Sequence, residues 1–226
     1  MAARPARRPA RPNPTRERIL EASWRLFNEL GVPNVTTNHI ADEVDISPGN
    51  LYYHFRHKED IVNALYDRYE QRFSEVLGYS ADELSTPDDL WLALHLAFEI
   101  IYAYRFIYRD LSDLTTAYPG LRLRFQRSLE ASIGKTREYL QRMARSGVID
   151  ALPEEISALA ANMALVTAYW VNLHALRQSS KAISRASDEQ VLAQGVFQVL
   201  SLVTPHLRGP ARESFRTHAL RYAQRN

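Results

Sequence analysis

The sequence predicts an all-α fold, and three observations carry that expectation. Apolar residues recur at helical spacing along the chain, and no run of strict alternation reads as a strand. Helix punctuation accompanies the periodicity: polar caps and prolines stand where helices would open, and glycines where they would close. Glycine is also scarce, 8 in 226 residues, which disfavours barrels and long loops.

Asn13 and Pro14 open a first helix whose Ile19, Ala22, Leu26 and Leu30 share a face, with Leu20, Trp24 and Phe27 beside them; Gly31 ends it. Thr36 caps a second helix running from Thr37 to Val44, with Ile40, Ala41 and Val44 on one side. Asp45 and Ile46 make a turn. Ser47 is the next N-cap, and Pro48 takes the first helical position, where its missing N–H costs nothing. Lys58 begins a long helix to about Leu77, stopped near Gly78. Ser85 and Thr86 precede Pro87, which opens a helix expected to run unbroken through Leu111, with Asp88 and Asp89 suited to its N-terminal dipole. A short piece over 111–117 follows. Pro119 opens a helix to about Ser146, Pro153 one to about Gln178, Asp188 one to about His206, and Gly209–Pro210 a last one. The sum is about nine or ten helices without an internal repeat.

Length accommodates a small module and a larger one. The absence of cysteine excludes disulfides, thiolate zinc sites and cysteine nucleophiles, and fits a reducing cytosol. Residues 1–14 lack the apolar segment of a secretory signal, and prolines 5, 9, 12 and 14 forbid the amphipathic helix of a transit peptide. That arm carries Arg4, Arg7, Arg8 and Arg11 and no acid, and without it 24 basic residues face 26 acidic ones. The overall charge of +2 therefore comes from the arm. Residues 15–63 hold five Lys/Arg against eight Asp/Glu, so that module has little non-specific attraction for a polyanion of its own. The arm can supply it by releasing counterions from phosphates or by lying in a minor groove. A solvated tail is the plainer alternative.

The second and third helices, joined by the tight turn at Asp45–Ile46, outline a helix-turn-helix, which places the start of its second helix in a DNA major groove. Gly49 lets the backbone approach a base edge or phosphate closely. Asn50 can bond bidentately to adenine. Tyr53, His54 and Lys58 suit phosphates, which set register without reading sequence. Thr36, Thr37 and Asn38, at the start of the preceding helix, offer hydroxyl, amide and N–H groups to a phosphate. Ser47 joins this DNA-binding set, whereas Leu51 and Phe55 should face the core. His39 and His57 read equally well as surface residues, and His54 with His57 has no third ligand nearby for a metal.

These residues carry a family resemblance. Segments RILEASWRLFNELG, VTTNHIADEVDIS and PGNLYYHFRHKEDIVNAL resemble the DNA-binding domain of TetR-family (TetR/AcrR-like) bacterial transcriptional regulators. The family's SxGxLYxHFxxKxxL pattern is filled at Ser47, Gly49, Leu51, Tyr52, His54, Phe55 and Lys58, with Ile61 in the last place. Pro48 departs from the polar residue often found there. The resemblance implies a ring contact from Tyr52 to a thymine methyl, a homodimer on a near-palindromic operator, most often repression, and a bacterial cytoplasmic location, nucleoid-associated when DNA-bound. It also implies a domain order of arm (1–14), helix-turn-helix domain (15–62) and larger helical effector-binding and dimerisation domain (63–226), with no cofactor.

Two segments are more apolar than a surface helix. Ile156 to Leu176 contains no Asp, Glu, Lys or Arg and is long enough to span a bilayer. Ser157, Asn162, Thr167, Asn172 and His174 argue instead for burial in protein, against the domain and a second subunit. By resemblance, 153–178 and 188–206 form the dimer interface. The second segment, 91–109, crowds aromatics around His95 and Glu99, an arrangement that suits a pocket for a small, largely apolar effector. Trp91, His95, Phe98, Tyr102, Phe125, Met163, Thr167 and Trp170 are the expected lining. Ordinary core packing, with a His95–Glu99 pair, is the alternative for any one of them. Control by a protein partner on the same fold remains an alternative to a small molecule. Nothing favours catalysis: the chain has no GxGxxG, P-loop, GxSxG or HExxH.

Overall fold

The computed structural model describes residues 13–78, 87–177 and 188–223, with no side-chain description for 87, 188 and 217–223. Residues 1–12 of the arm, the caps expected at Ser85 and Thr86, and Gln178 lie outside the described residues. The described residues are helical: α1 (Pro14–Leu30), α2 (Thr37–Glu43), α3 (Pro48–His54), α4 (Lys58–Leu77), α5 (Pro87–Ala103), α6 (Arg105–Arg109), α7 (Leu111–Ala117), α8 (Pro119–Arg145), α9 (Pro153–Arg177), α10 (Asp188–Val203), a 3-10 turn (Thr204–His206) and α11 (Gly209–Ala223). Contacts divide the chain into two compact units, Met1–Leu65 and Tyr66–Asn226, and the division falls inside α4.

The first unit is built on α1. Asn13 Oδ1 accepts from the Thr15 and Arg16 N–H groups, and Gly31 ends the helix at φ 89°, a conformation that suits a residue without Cβ. Its inward face is Ile19, Leu20, Ala22, Ser23 and Phe27, while Leu30 is exposed. Ser23 sits in this apolar core without cost because its hydroxyl donates to Ile19 O at 2.7 Å. Ile40, Ala41, Leu51, Phe55, Ile61 and Leu65 complete the core. The α2–α3 turn places Asp45 at φ 53°, a left-handed conformation that aspartate tolerates. Arg18 secures the turn by donating to Val44 O at 2.5 Å, and the Arg16 guanidinium lies 4.7 Å above the Phe55 ring.

In the second unit, α9 packs against α8, α10 and α6, and α10 against α5 and α11. The single helix expected from Pro87 through Leu111 is broken at Tyr104 and again at Asp110. Packing explains the breaks. Phe106, Ile107 and Tyr108 are consecutive and all buried, which one face of a straight helix cannot achieve. Tyr104 and Tyr108 both turn onto the Tyr69 ring, at centroid distances of 5.9 and 6.0 Å.

Gly195 leaves room for two large rings: a Cβ there would lie 2.5 Å from Phe98 Cε1 and 2.6 Å from Trp170 Cδ1. At the ends of α8 and α10 the chain forms a short bridge, with Asp150 N donating to His206 O and Arg208 N to Val148 O. By length and composition α9 could cross a membrane. Its polar side chains are nonetheless used within the protein, Thr167 donating to Met163 O and Asn172 to Tyr108 O.

Candidate nucleic-acid interface and internal cavity

The helix-turn-helix presents one continuous polar and aromatic surface. Ser47 Oγ accepts from Asn50 N at 3.2 Å, which fixes the start of α3. Leu51 and Phe55 are buried beneath it. Ser47, Gly49 and Asn50 are consequently held outward, with Tyr52 at 47% exposure and Tyr53 at 83%. An aromatic ring that exposed gains little from folding, so its place on a rigid helix points to a partner. Tyr52 is also positioned: its hydroxyl lies 3.1 Å from Thr37 Oγ1, tying α3 to the start of α2. The His54 ring stands edge-on to Tyr53 at 5.2 Å.

Thr36 accepts from His39 N at 3.2 Å while the His39 ring accepts from Thr36 N at 3.5 Å, a reciprocal cap. His39 is therefore a capping residue as well as a surface one. Asn38 is exposed and Thr37 half-buried beside it.

Lys58 differs from the expectation of a free phosphate donor. Its ammonium donates to Val32 O at 2.9 Å and Val35 O at 3.0 Å, and burial holds it below the ordinary lysine range. Two of its three protons thus secure the turn after α1, and one remains for another acceptor.

The second unit holds a partly open cavity of about 130 Å³. A mostly apolar void of this scale suits a small apolar ligand. Tyr69, Phe73, Val76 and Leu77 line it from α4, Leu90, Ala93, Leu94, Ala97 and Ile101 from α5, and Tyr108 from α6. Nine residues of α8 between Phe125 and Arg142 and four of α9, Met163, Ala164, Thr167 and Ala168, complete the wall.

Of the expected lining, Phe125, Met163 and Thr167 are present, whereas Trp91, His95, Phe98, Tyr102 and Trp170 are not. The correction is a rotation of α5: residues 90, 93, 94, 97 and 101 face the cavity, and 91, 95, 98 and 102 do not. Phe98 and Trp170 fill the space around Gly195, and Trp170 Nε1 donates to Val191 O at 2.9 Å. Trp91 stacks on His95, which pairs with Glu99 at 3.4 Å, and Tyr102 lies under the Arg105 guanidinium. Large rings fill space; small side chains leave it. Ala93/Ala97, Ser128/Ser132 and Ala164/Ala168, each spaced i, i+4 on a different helix, put small side chains on the cavity wall, a pattern that the expected lining missed.

Two family models match consecutive parts of the chain. "Bacterial regulatory proteins, tetR family" covers residues 19–65, and the TetR model, "Bacterial transcriptional repressor", covers 68–215. The chain belongs to the TetR family.

Other comparisons agree. A TetR-family transcriptional regulator from Marinobacter aquaeolei VT8 shares 33% identity and a TM-score of 0.81, over 92% of this chain and 98% of that one. A gamma-butyrolactone receptor (ArpA-like protein) shares the fold, with a TM-score of 0.63 at 18% identity over 94% and 98% of the two chains. The HTH-type transcriptional repressor KstR2 of Mycolicibacterium smegmatis is 31% identical over 118 residues, 47% of this chain and 56% of that protein. A probable HTH-type regulator of Bacillus subtilis, YttP, is 27% identical over 105 residues, 43% and 51% of the two. The chain thus spans about half the length of the curated relatives it matches. The chain has the helix-turn-helix domain and the helical C-terminal domain of TetR-family regulators.

Proposed function

We propose that this regulator is a repressor that binds a near-palindromic operator as a homodimer and leaves it when a small, largely apolar effector enters the second-unit cavity. The observation that carries the reading is the outward face of α3, where Gly49, Asn50, Tyr52 and Tyr53 stand exposed on a helix anchored by buried Leu51. Asn50 reads adenine, Tyr52 meets a thymine methyl, and Thr36, Thr37, Asn38, Ser47, Tyr53, His54 and the remaining Lys58 proton serve phosphates. KstR2, a repressor, lends support to the sign of regulation. The location is the bacterial cytoplasm, on the nucleoid when DNA is bound.

An exposed stripe on α9 supports the dimer. Ala158, Ala161, Leu165, Tyr169, Leu173 and Leu176 follow one another at helical spacing, with Leu165 at 65% and Leu176 at 76% exposure. A second copy of α9 and α10 would cover it, and two-fold symmetry would set two α3 helices about one DNA turn apart, about 34–36 Å. The concave, mostly apolar cavity with its small-residue wall favours a small molecule over a protein partner as the controlling ligand. The effector acts by preferring one packing of the cavity helices, shifting α4 and with it the spacing of the two heads. It shifts that equilibrium only through its differential affinity for the two states. Fluorescence anisotropy on a labelled operator tests the scheme: an effector should raise the dissociation constant, and ligands that occupy the cavity without changing it would remove the ligand-responsive part.

A further inference from the structure

Two phenols on the cavity wall hold more hydrogen-bonding capacity than they use. Tyr69 and Tyr108 are 1% and 6% exposed, and their hydroxyls bond to each other at 2.5 Å. A phenol carries a single proton. Whichever hydroxyl donates, the other keeps its proton, and neither has a second partner among the described residues. Both residues line the cavity, and the unspent proton is the polar group the pair can offer to a molecule seated there. Of the other lining hydroxyls, Thr167 donates to Met163 O at 2.7 Å and Ser128 to Glu70 Oε1 at 3.3 Å, while Ser132 and Thr136 stand further along α8.

The ionised lining residues stand elsewhere. Phe125 packs on Tyr108 with ring centroids 5.6 Å apart. Lys135, Glu138 and Arg142 lie about 15–25 Å further along α8 at the helical rise of about 1.5 Å per residue. An anionic group seated at the phenol end would leave water without a cation among the lining residues there. A neutral acceptor meets no such penalty. We propose that the cavity takes a neutral, apolar molecule whose carbonyl oxygen, that of a ketone or an ester, accepts the free proton of the Tyr69–Tyr108 pair while its hydrocarbon part lies along Ala93, Ala97, Ala164 and Ala168. This deepens the reading of the cavity as the effector site and rests on it.

Calorimetric titration of the full chain with 2-octanone, 1-octene and octanoate tests the proposal, in wild type and in the Tyr69→Phe/Tyr108→Phe variant. The double substitution keeps both rings and removes both protons. 2-Octanone should bind wild type about three- to tenfold tighter than 1-octene, the range of one net hydrogen bond, and the variant should bind the two alike. The infrared carbonyl stretch of 2-octanone bound to wild type, which needs no variant, should fall below its frequency in alkane. Equal binding of ketone and alkene, a preference that survives the double substitution, an unshifted stretch, or no binding of any probe would overturn the proposal. Octanoate binding tightest, with the advantage lost in Arg142→Gln, would overturn it too by placing the anchor at the cationic end. Operator affinity is scored separately. Ketone binding that leaves operator affinity unchanged keeps the carbonyl site and removes ligand control, and operator recognition without ketone binding keeps the DNA reading and removes the carbonyl site.

Discussion

Single side chains divide the work of the first unit between holding its helices and, under the proposed function, reading DNA. Tyr52 does both, because its hydroxyl meets Thr37 while its ring stands exposed. Tyr52→Ala should therefore lower affinity for the specific site by about 1–3 kcal/mol and leave random DNA nearly unaffected, which competition binding would resolve. Lys58 is weighted the other way. Lys58→Ala strands two carbonyls, Val32 and Val35, and should cost about 1–3 kcal/mol in thermal unfolding besides any loss on DNA. A loss on DNA without destabilisation would mean that the two bonds contribute little. In the second unit, burial raises the Tyr69 and Tyr108 hydroxyls above the ordinary tyrosine range. Above pH about 10 the unfolded chain ionises first, so these two groups give stability that is present below that pH and lost as pH rises. Each should cost about 1 kcal/mol per pH unit there, and alkaline unfolding of Tyr108→Phe should begin at higher pH than wild type.

Helix boundaries were the most legible elements. Asn13–Pro14, Ser47–Pro48 and Gly31 acted locally, through hydrogen bonds to near neighbours and fixed φ, and the structure places them as caps and stops. The break at Tyr104 was not legible, because it answers to Tyr69, distant in sequence, and the local apolar pattern continues across it. The facing of α5 failed for a related reason. Aromatic crowding marks where space is filled, and only the neighbours of Gly195 show which face is filled. Burial on α9 is legible in its polar composition yet leaves an apolar stripe uncovered. Leu165→Glu sits in the middle of that stripe and should convert a dimer to a monomer in sedimentation at unchanged helicity, with weaker operator binding. A dimer of unchanged strength would place the interface elsewhere.

Across the whole chain, the fold class followed from caps and periodicity, and the SxGxLYxHF run has buried Leu51 and Phe55 and an outward Tyr52, the facing expected of it. The cavity followed only in part: Phe125, Met163 and Thr167 lie on it, and the alanine and serine pairs that create it carry no chemistry that draws attention in a sequence. Between reading surface and cavity, the central claim is that α3 reads a symmetric site. Selection of binding sites from a random duplex library with the purified chain tests it most directly. Recovery of a two-fold-symmetric sequence, its half-sites about one DNA turn apart, is the result predicted. A recovered pool no more symmetric than the starting library, at moderate salt, would contradict it.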